Sequence, residues 1–149
     1  MAKAIALPLE QIIWNVDLPV EEAEVFPINP DEEPHLLRPD ELATVVLPGN
    51  DFKIIFPFAR YEEIEQIIPY AAEGQPVTLH DLLLTIYLFY QEPIPANELR
   101  KLKQTTRTFG IDEDIYDNVV KRIDAMYGLV HFEGLILETP NVYSLHLGS

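Results

Sequence analysis

Cysteine is absent from this sequence of 149 residues, so disulfide bonds, thiolate metal ligands and cysteine nucleophiles are all excluded. Long hydrophobic runs are also absent, since none approaches the roughly 18 residues that a membrane-spanning helix needs. The apolar run near the N-terminus is broken by Pro8 and Glu10, which makes it too short for a secretory signal. These absences predict a cytoplasmic protein, with the nucleus as an alternative compartment, and argue against secretion and membrane insertion.

Positive charge is scarce in this sequence. It has 10 Lys and Arg residues against 25 Asp and Glu residues, a formal net charge of −15 at pH 7. Such a molecule repels phosphate backbones at long range, so no nucleic-acid partner is expected. Ten of the acids lie in residues 1–41, where only Lys3 and Arg38 oppose them. This acidic leader is either a solvated, self-repelling arm or a segment that docks a basic partner protein.

Proline is concentrated in the same leader. Six of the 13 prolines lie between Pro8 and Pro39, and their mixture with acidic residues opposes both helix and central strand. We therefore predict an extended, largely irregular strap over residues 17–40. An apolar cluster precedes it, formed by Ile12, Ile13, Trp14 and Val16. We predict that this cluster pins the leader to a single domain of residues 42–149, with the lone tryptophan as a buried anchor.

The segment Thr78 to Gln91 carries the clearest structural signal. Thr78 precedes Asp81 by three residues, a spacing at which the threonine oxygen caps a helix start and the carboxylate favours its positive end. From Leu82 onward nearly every residue is apolar or aromatic, interrupted chiefly by Thr85. That is too little polarity for a helix on a wet surface. The pattern predicts a buried helix at the centre of the core.

The remaining patterns predict an α+β domain. Residues 43–58 hold two β-rich runs around a Pro-Gly-Asn-Asp turn and are predicted to form a hairpin. Residues 60–70 repeat apolar side chains at helical spacing and predict a helix. Two more helices are predicted, one over Pro95–Gln104 and one over Asp112–Tyr127 that ends at Gly128. The expected architecture is a small, mainly antiparallel sheet packed on about three helices, with the leader strapped across the outside.

Residues 129–148 contain two β-rich runs around a short turn and predict a closing hairpin. If its loop is Glu138–Asn141, Glu133 faces His146 across the hairpin and His131 lies diagonal to it. Two imidazoles and a carboxylate are a legitimate metal-ligand set, so these three residues are the candidate catalytic site. The alternative is that they form the polar, solvent-facing side of the ribbon. The opposite face, predicted to be core, carries Val130, Phe132, Ile136, Tyr143, Leu145 and Leu147.

Three other groups of residues have alternative interpretations. Four bases form either the wet face of a helix or a small site for an anion or for the acidic leader; they are Arg100, Lys101, Lys103 and Arg107. Four aromatics form either core or a pocket for a small apolar ligand; they are Tyr87, Phe89, Tyr90 and Tyr116. His80 is expected to be a surface residue and His35 to be incidental. Three helices and a hairpin also resemble a winged helix, but the negative charge argues against DNA recognition.

Four short motifs are spread over nearly the whole chain. They are Trp14-Asn15-Val16, then VTLHDLLLTIYLFYQEPIPANEL from Val77 to Leu99, then Phe132-Glu133-Gly134-Leu135, and Tyr143-Ser144-Leu145-His146-Leu147-Gly148. Together they resemble a family of domains of unknown function found in many copies in mushroom-forming basidiomycete fungi. Its members carry a W-D-[VL] box, a VTVxDVLxxIYxFFxxPLTxxEL motif, an FxGL strand and a closing WxLxLG hairpin. Asn15 replaces the usual aspartate, and Pro95 replaces the usual threonine.

The resemblance indicates a related family but no activity, because its motifs consist of residues typical of core packing and none is a catalytic motif. Family members also read RxDxxxG before the FxGL strand, which Arg122, Asp124 and Gly128 match, so residues 121–128 either end a helix or begin a strand. The chain offers no convincing nucleophile, carboxylate pair or phosphate loop. We therefore predict a non-enzymatic interaction module without cofactor or metal. The alternatives are a small metal-dependent or acid/base enzyme that uses the hairpin histidines, and a binder of small apolar ligands.

Overall fold

The computed structural model describes residues 9–26, 31–47, 52–58, 62–67, 75–108, 110, 120–126 and 128–148. Its strands are β1 (Ile12–Ile13), β2 (Glu24–Val25), β3 (His35–Leu36), β4 (Val45–Leu47), β5 (Lys53–Phe58), β6 (Glu62–Ile67), β7 (Val77–Thr78), β8 (His131–Thr139) and β9 (Val142–Gly148). Its helices are α1 (Pro39–Leu42), α2 (Leu79–Gln91) and α3 (Ala96–Thr108). Short 3-10 helices cover Leu9–Gln11, Val20–Glu22 and Arg122–Met126.

The strands form three sheets, which with the helices confirms the predicted α+β class. The main sheet has the order β6-β5-β9-β8 and is antiparallel except for the parallel pair of β5 and β9. A second sheet joins β4 to β7 just ahead of α2. The third sheet lies within the leader and has the order β1-β2-β3. The leader is therefore extended, as predicted, but less irregular than predicted, because two-residue strands fit between its prolines.

Helix α2 is the buried central helix that the sequence predicts. Thr78 Oγ1 accepts a hydrogen bond from the Asp81 backbone N–H at 3.2 Å, and Asp81 Oδ2 accepts one from the Thr78 N–H at 3.2 Å. This reciprocal cap satisfies two amide groups that a helix start leaves unpaired. The buried hydroxyl of Thr85 in α2 donates to the Asp81 carbonyl at 2.7 Å. Among the described residues, no helix is both long and apolar enough to cross a bilayer.

Trp14 attaches the leader to the main sheet. Its side chain is 2% exposed, its ring lies 6.0 Å from that of Phe132 on β8, and its Nε1 donates to the Leu18 carbonyl at 3.0 Å. The backbone also pairs, since the Phe132 N–H donates to the Trp14 carbonyl at 2.8 Å. Both ends of the indole are thus accommodated, which confirms that Trp14 is a buried anchor. The leader's Val16, Val20 and other apolar residues belong to the same core cluster as α2.

Two predicted elements of the first half are wrong. β4 pairs with β7, while β5 pairs with β6 and β9, so the predicted hairpin over residues 43–58 does not form. Adjacent β-rich runs do not specify each other when other strands offer better pairing. The predicted helix over residues 60–70 is also wrong, because β6 pairs with β5 from Lys53↔Ile67 to Phe58↔Glu62. Sheet pairing there overrides the local helical spacing.

The connection from α2 to the closing hairpin follows the sequence more closely. α3 begins at Ala96, one residue after the predicted start at Pro95, and runs past the predicted end at Gln104 to Thr108. Most of the predicted helix over Asp112–Tyr127 lies outside the described residues. Within it, Arg122–Met126 forms a 3-10 helix, and Gly128 follows with φ 87°, a backbone conformation that favours glycine. The predicted continuous helix is wrong at its described end, because Lys121 forms an isolated bridge with Pro93. Residues 122–126 form a separate 3-10 helix and do not begin a strand.

The closing hairpin forms, but its predicted register and part of its predicted core face are wrong. Leu135 pairs with Leu145 and Leu137 with Tyr143, one residue away from the prediction. The turn has only Pro140 and Asn141 outside the strands, and the register shifts between Phe132 and Gly134 and again between Leu137 and Thr139. An extra residue reverses the alternation of a strand. Phe132 and Leu145 are buried, whereas Ile136, predicted to be core, is exposed.

We predict that α2 does not tolerate charge on its buried side. Leu83→Asp places an unpaired carboxylate at a fully buried position and is expected to lower the free energy of unfolding by about 4 kcal/mol or more. The matched control is His80→Asp, which adds the same side chain at an exposed position of the first turn. Urea denaturation measures both variants. An unchanged midpoint for Leu83→Asp would show that this face is not core.

Tyr90 is a buried titratable residue of α2. Its hydroxyl donates to the Pro57 carbonyl on β5 at 2.6 Å, and its ring lies 6.1 Å from that of Phe56. Burial raises the pKa of the Tyr90 phenol well above its usual value, and the positive charge of Arg122 lowers it by a smaller amount. The folded protein therefore holds this proton more tightly than the unfolded chain does.

Tyr90 is expected to make stability fall at high pH. Its contribution is complete below the unfolded pKa of about 10 and is lost as pH rises from there towards the folded pKa. Tyr90→Phe should cost about 1–2 kcal/mol at pH 7, because the Pro57 carbonyl loses its donor. The stability difference between the two proteins should then shrink above about pH 10. Urea denaturation at pH 7 to 11 measures it, and a constant difference contradicts the assignment.

Candidate interaction surface

The leader sheet presents two cross-strand rows of side chains. Its register aligns Ile12, Val25 and His35 in one row and Ile13, Glu24 and Leu36 in the other. The first row faces the core, since Ile12 and Val25 are buried. Because successive residues of a strand point to opposite faces, the second row faces outward. The leader thus has an inner face that is packed and an outer face that is open to solvent.

The outer face combines apolar and acidic side chains. Leu36 is 57% exposed, and Phe26, which follows β2, is 54% exposed. Glu24 lies between the apolar Ile13 and Leu36 in the outer row. We name this outer face the leader surface; it consists of Ile13, Glu24, Phe26 and Leu36. Large apolar side chains exposed beside one another are a common feature of protein-binding surfaces.

Acidic residues surround the leader surface. Glu21 and Glu22 are exposed in the adjacent 3-10 helix, and Glu32 and Glu33 are exposed just before β3. His35 is half-buried and contacts the Glu41 carboxylate at 3.1 Å, so it is not the incidental residue that the sequence suggested. The same carboxylate caps α1 by accepting a hydrogen bond from the Arg38 N–H at 2.8 Å. The surroundings of the leader surface therefore carry a strong excess of negative charge.

The candidate catalytic residues of the hairpin are not arranged as predicted. Gly134, and not Glu133, lies opposite His146. The Glu133 carboxylate instead lies against the backbone of Gly148, where a Cβ would be 2.6 Å from its Oε2. His131 pairs with Gly148, and its Nδ1 lies 3.4 Å from Asn15 Oδ1 in the leader. In the part of the chain that the structure describes, no three His, Asp or Glu residues are grouped as metal ligands.

The other candidate groups lie on α3 and around α2. Arg100 and Lys101 are exposed and Lys103 is half-buried on α3, while the side chain of Arg107 lies outside the described residues. Of the aromatic group, Phe89 and Tyr90 are buried in the core and Tyr87 packs against it, while Tyr116 lies outside the described residues. His80 is exposed, as expected. The described aromatics therefore fill the core around α2.

Arg122 forms a buried ionic cluster that sequence reasoning did not identify. Its Nη1 donates to Glu92 at 2.7 Å and its Nη2 to Glu98 at 3.2 Å, while its Cζ lies 4.3 Å from the centre of the Phe89 ring. Glu92 is 49% exposed, so that ion pair is weakened by solvent. In the sequence, Arg122 is marked by its place in the RxDxxxG pattern. The guanidinium joins the end of α2 to α3, which is a structural role.

Comparison with known proteins gives no match: no family model, no curated protein and no solved structure matches this chain. The assignment of a function therefore depends on the chain's own residues. Among the groups described above, only the leader surface combines exposed apolar side chains with a concentration of one charge. The hairpin histidines do not have the geometry that motivated a catalytic site.

The hairpin histidines are expected to have no role in folding or metal binding. The double substitution His131→Ala with His146→Ala should change the free energy of unfolding by less than about 1 kcal/mol, because neither side chain is buried. Elemental analysis of protein purified without chelator should find no stoichiometric zinc, manganese or iron. One equivalent of metal that disappears in the double variant would contradict this expectation and restore the enzyme hypothesis.

Proposed function

We propose that this protein is a non-enzymatic interaction module that binds a basic partner protein through the leader surface. The observation that carries the proposal is the outer row of the leader sheet, in which Glu24 lies beside Ile13 and Leu36 and near the exposed Phe26. Apolar side chains supply contact area, and the surrounding acids select and attract a cationic partner. The net charge of −15 adds to this attraction at long range.

The fold supports a binding surface on the leader because the leader is held in place. Trp14 and Val16 bury their side chains in the core, and the inner row of the leader sheet is packed. A surface that is already ordered loses less conformational entropy when it binds. The absence of cysteine is compatible with a reducing compartment, so we place the interaction in the cytoplasm or nucleus.

We also propose that the chain is a member of the basidiomycete family that its motifs resemble. Several motif residues occupy positions where the structure requires their particular type of side chain. Trp14 is the buried anchor, Thr78 and Asp81 cap α2, and Gly134 of the FxGL match has φ 119°, which favours glycine. In fungal relatives, replacing the residue equivalent to Trp14 by alanine should destabilise the fold, because it would leave a cavity in the core.

Site-specific photo-crosslinking tests the proposed function. A benzophenone amino acid in place of Leu36 should capture a partner from an extract of the source organism, and salt at about 0.5 M should reduce capture by screening the acids. The same amino acid in place of Val120, which is also exposed, is the positional control. Glu24→Lys together with Phe26→Ser should reduce capture at least about tenfold while leaving the melting temperature unchanged, because neither side chain is buried.

Mass spectrometry of the crosslinked partner segment completes the test. The expected segment is rich in Lys and Arg. Equal capture at positions 36 and 120, or an acidic partner segment, would contradict a charge-selective leader surface.

A further inference from the structure

The two edges of the main sheet differ in their protection. β6, at one edge, has the sequence EEIEQI, with three glutamates in six residues. β8, at the other edge, contains the uncharged run Leu135-Ile136-Leu137. Edge strands present unpaired backbone groups, and natural proteins usually protect them with charge, proline or a covering segment. This run of β8 carries no charge. Its unpaired backbone groups are therefore protected only where another segment of the chain lies along the strand.

The described part of the leader covers the first part of the β8 edge. The Val16 N–H donates to the Val130 carbonyl and the Phe132 N–H to the Trp14 carbonyl, both at 2.8 Å. This pairing ends near Gly134, where Leu9 Cβ lies 4.0 Å from the position a Cβ would take. Among the described residues, Leu135–Thr139 pairs with β9 alone. Ile136 is 50% exposed and Leu137 is 58% exposed.

We propose that the segment Leu135–Thr139, which among the described residues pairs with β9 alone, binds an extended basic peptide of another protein by strand addition. Every second residue of an edge strand directs its N–H and C=O away from its partner strand, so the segment, about 17 Å long, offers backbone hydrogen bonds to an added strand. Ile136 and Leu137 point to opposite faces and each supply an apolar contact. The leader already pairs antiparallel to β8 on this edge, and the added strand continues that arrangement.

The charge of the surroundings selects a basic occupant. Glu133 and Glu138 are exposed on either side of the apolar residues, and the chain as a whole carries −15. A second copy of this chain brings the same negative charge and is repelled. A five-residue edge also presents far less than the roughly 1,000 Å² that a stable dimer interface requires. A short cationic strand is attracted by the same charge and forms a small, transient interface. This site is separate from the leader surface.

Peptide binding provides the direct test. The probe is acetyl-Lys-Ile-Thr-Val-Thr-Ile-Lys-amide, labelled for fluorescence anisotropy, and we expect saturable binding to the full chain. Two control peptides isolate the two recognition elements. Replacing both lysines by glutamate should weaken binding at least about tenfold by repulsion. N-methylation of alternate amides should abolish binding if those amides pair with β8. Hydrogen exchange should show new protection confined to Leu135–Thr139.

Matched variants locate the site. Leu137→Lys should weaken binding of the lysine peptide at least about tenfold, whereas Val120→Lys, which adds the same charge at another exposed apolar position, should leave it nearly unchanged. Leu137→Thr, which keeps β propensity, provides a second variant if the lysine disturbs the hairpin. Phe26→Ser with Leu36→Ser should bind the peptide like the unmodified chain, which separates this site from the leader surface.

Several results would overturn the proposal. They are no binding of the lysine peptide, equal binding of the N-methylated peptide, and equal loss in Leu137→Lys and Val120→Lys. Sedimentation that shows a dimer dispersed by Leu137→Lys assigns the edge to a second copy. Binding only to a variant lacking residues 1–8 assigns it to the chain's own N-terminal segment.

Discussion

Helix α2 has too few polar side chains to contact water over most of its surface, and this constraint organises the rest of the described structure. The main sheet covers it through Phe56, whose ring stacks on that of Phe89 at 4.2 Å. The leader covers it through the buried Val20 and Ala23. The segment from Arg122 to Met126 closes the remaining side. Each cover buries apolar area that alone would be too small to order its own segment, so the elements depend on one another.

Because the leader packs on α2, it has one row of side chains that faces the core and one that faces solvent. Its inner row is core, while its outer row carries the exposed apolar residues and the acids. A free acidic arm would lose conformational entropy on binding a partner, whereas this leader has already lost it on folding. The order of the leader therefore comes from Trp14 and its neighbours, and its binding chemistry comes from residues that contribute little to stability. The two sets alternate along the same strands, which separates folding from recognition.

Local signals in the sequence predict the elements whose stability is local. The cap formed by Thr78 and Asp81 and the run of apolar residues after it predict α2 correctly, and Pro95 marks the start of α3. Strand pairing is not local. The partners of β4 and β5 lie in β7, β6 and β9, and nothing in residues 43–58 specifies them. Residues 60–70 do carry apolar side chains at helical spacing, but the pairing of β6 with β5 outweighs this local preference.

The candidate sites also combine features that the local sequence predicts with features that depend on distant residues. The hairpin was predicted from its β-rich runs, but the facing of Glu133 and His146 required an exact register, and the shift between Phe132 and Gly134 removed it. Arg122 was visible only as part of a motif, because its partners Glu92 and Glu98 come from a connection and a helix distant in sequence. Leu36 gave no signal, because its exposure depends on which row of the leader sheet it joins.

The contact between Asn15 and His131 joins residues that are 116 positions apart. During synthesis at about 5–20 residues per second, Trp14 therefore waits roughly 6–23 s before its partner strand exists. Late in that interval, once Gln91 has been added, α2 exists but still lacks the segment from Arg122 to Met126 and the strands β8 and β9, so part of its apolar surface is available to other nascent chains. Contacts of such long sequence separation also slow folding after release. The acidic leader is synthesised before α2, and its charge repulsion opposes aggregation while the core is incomplete.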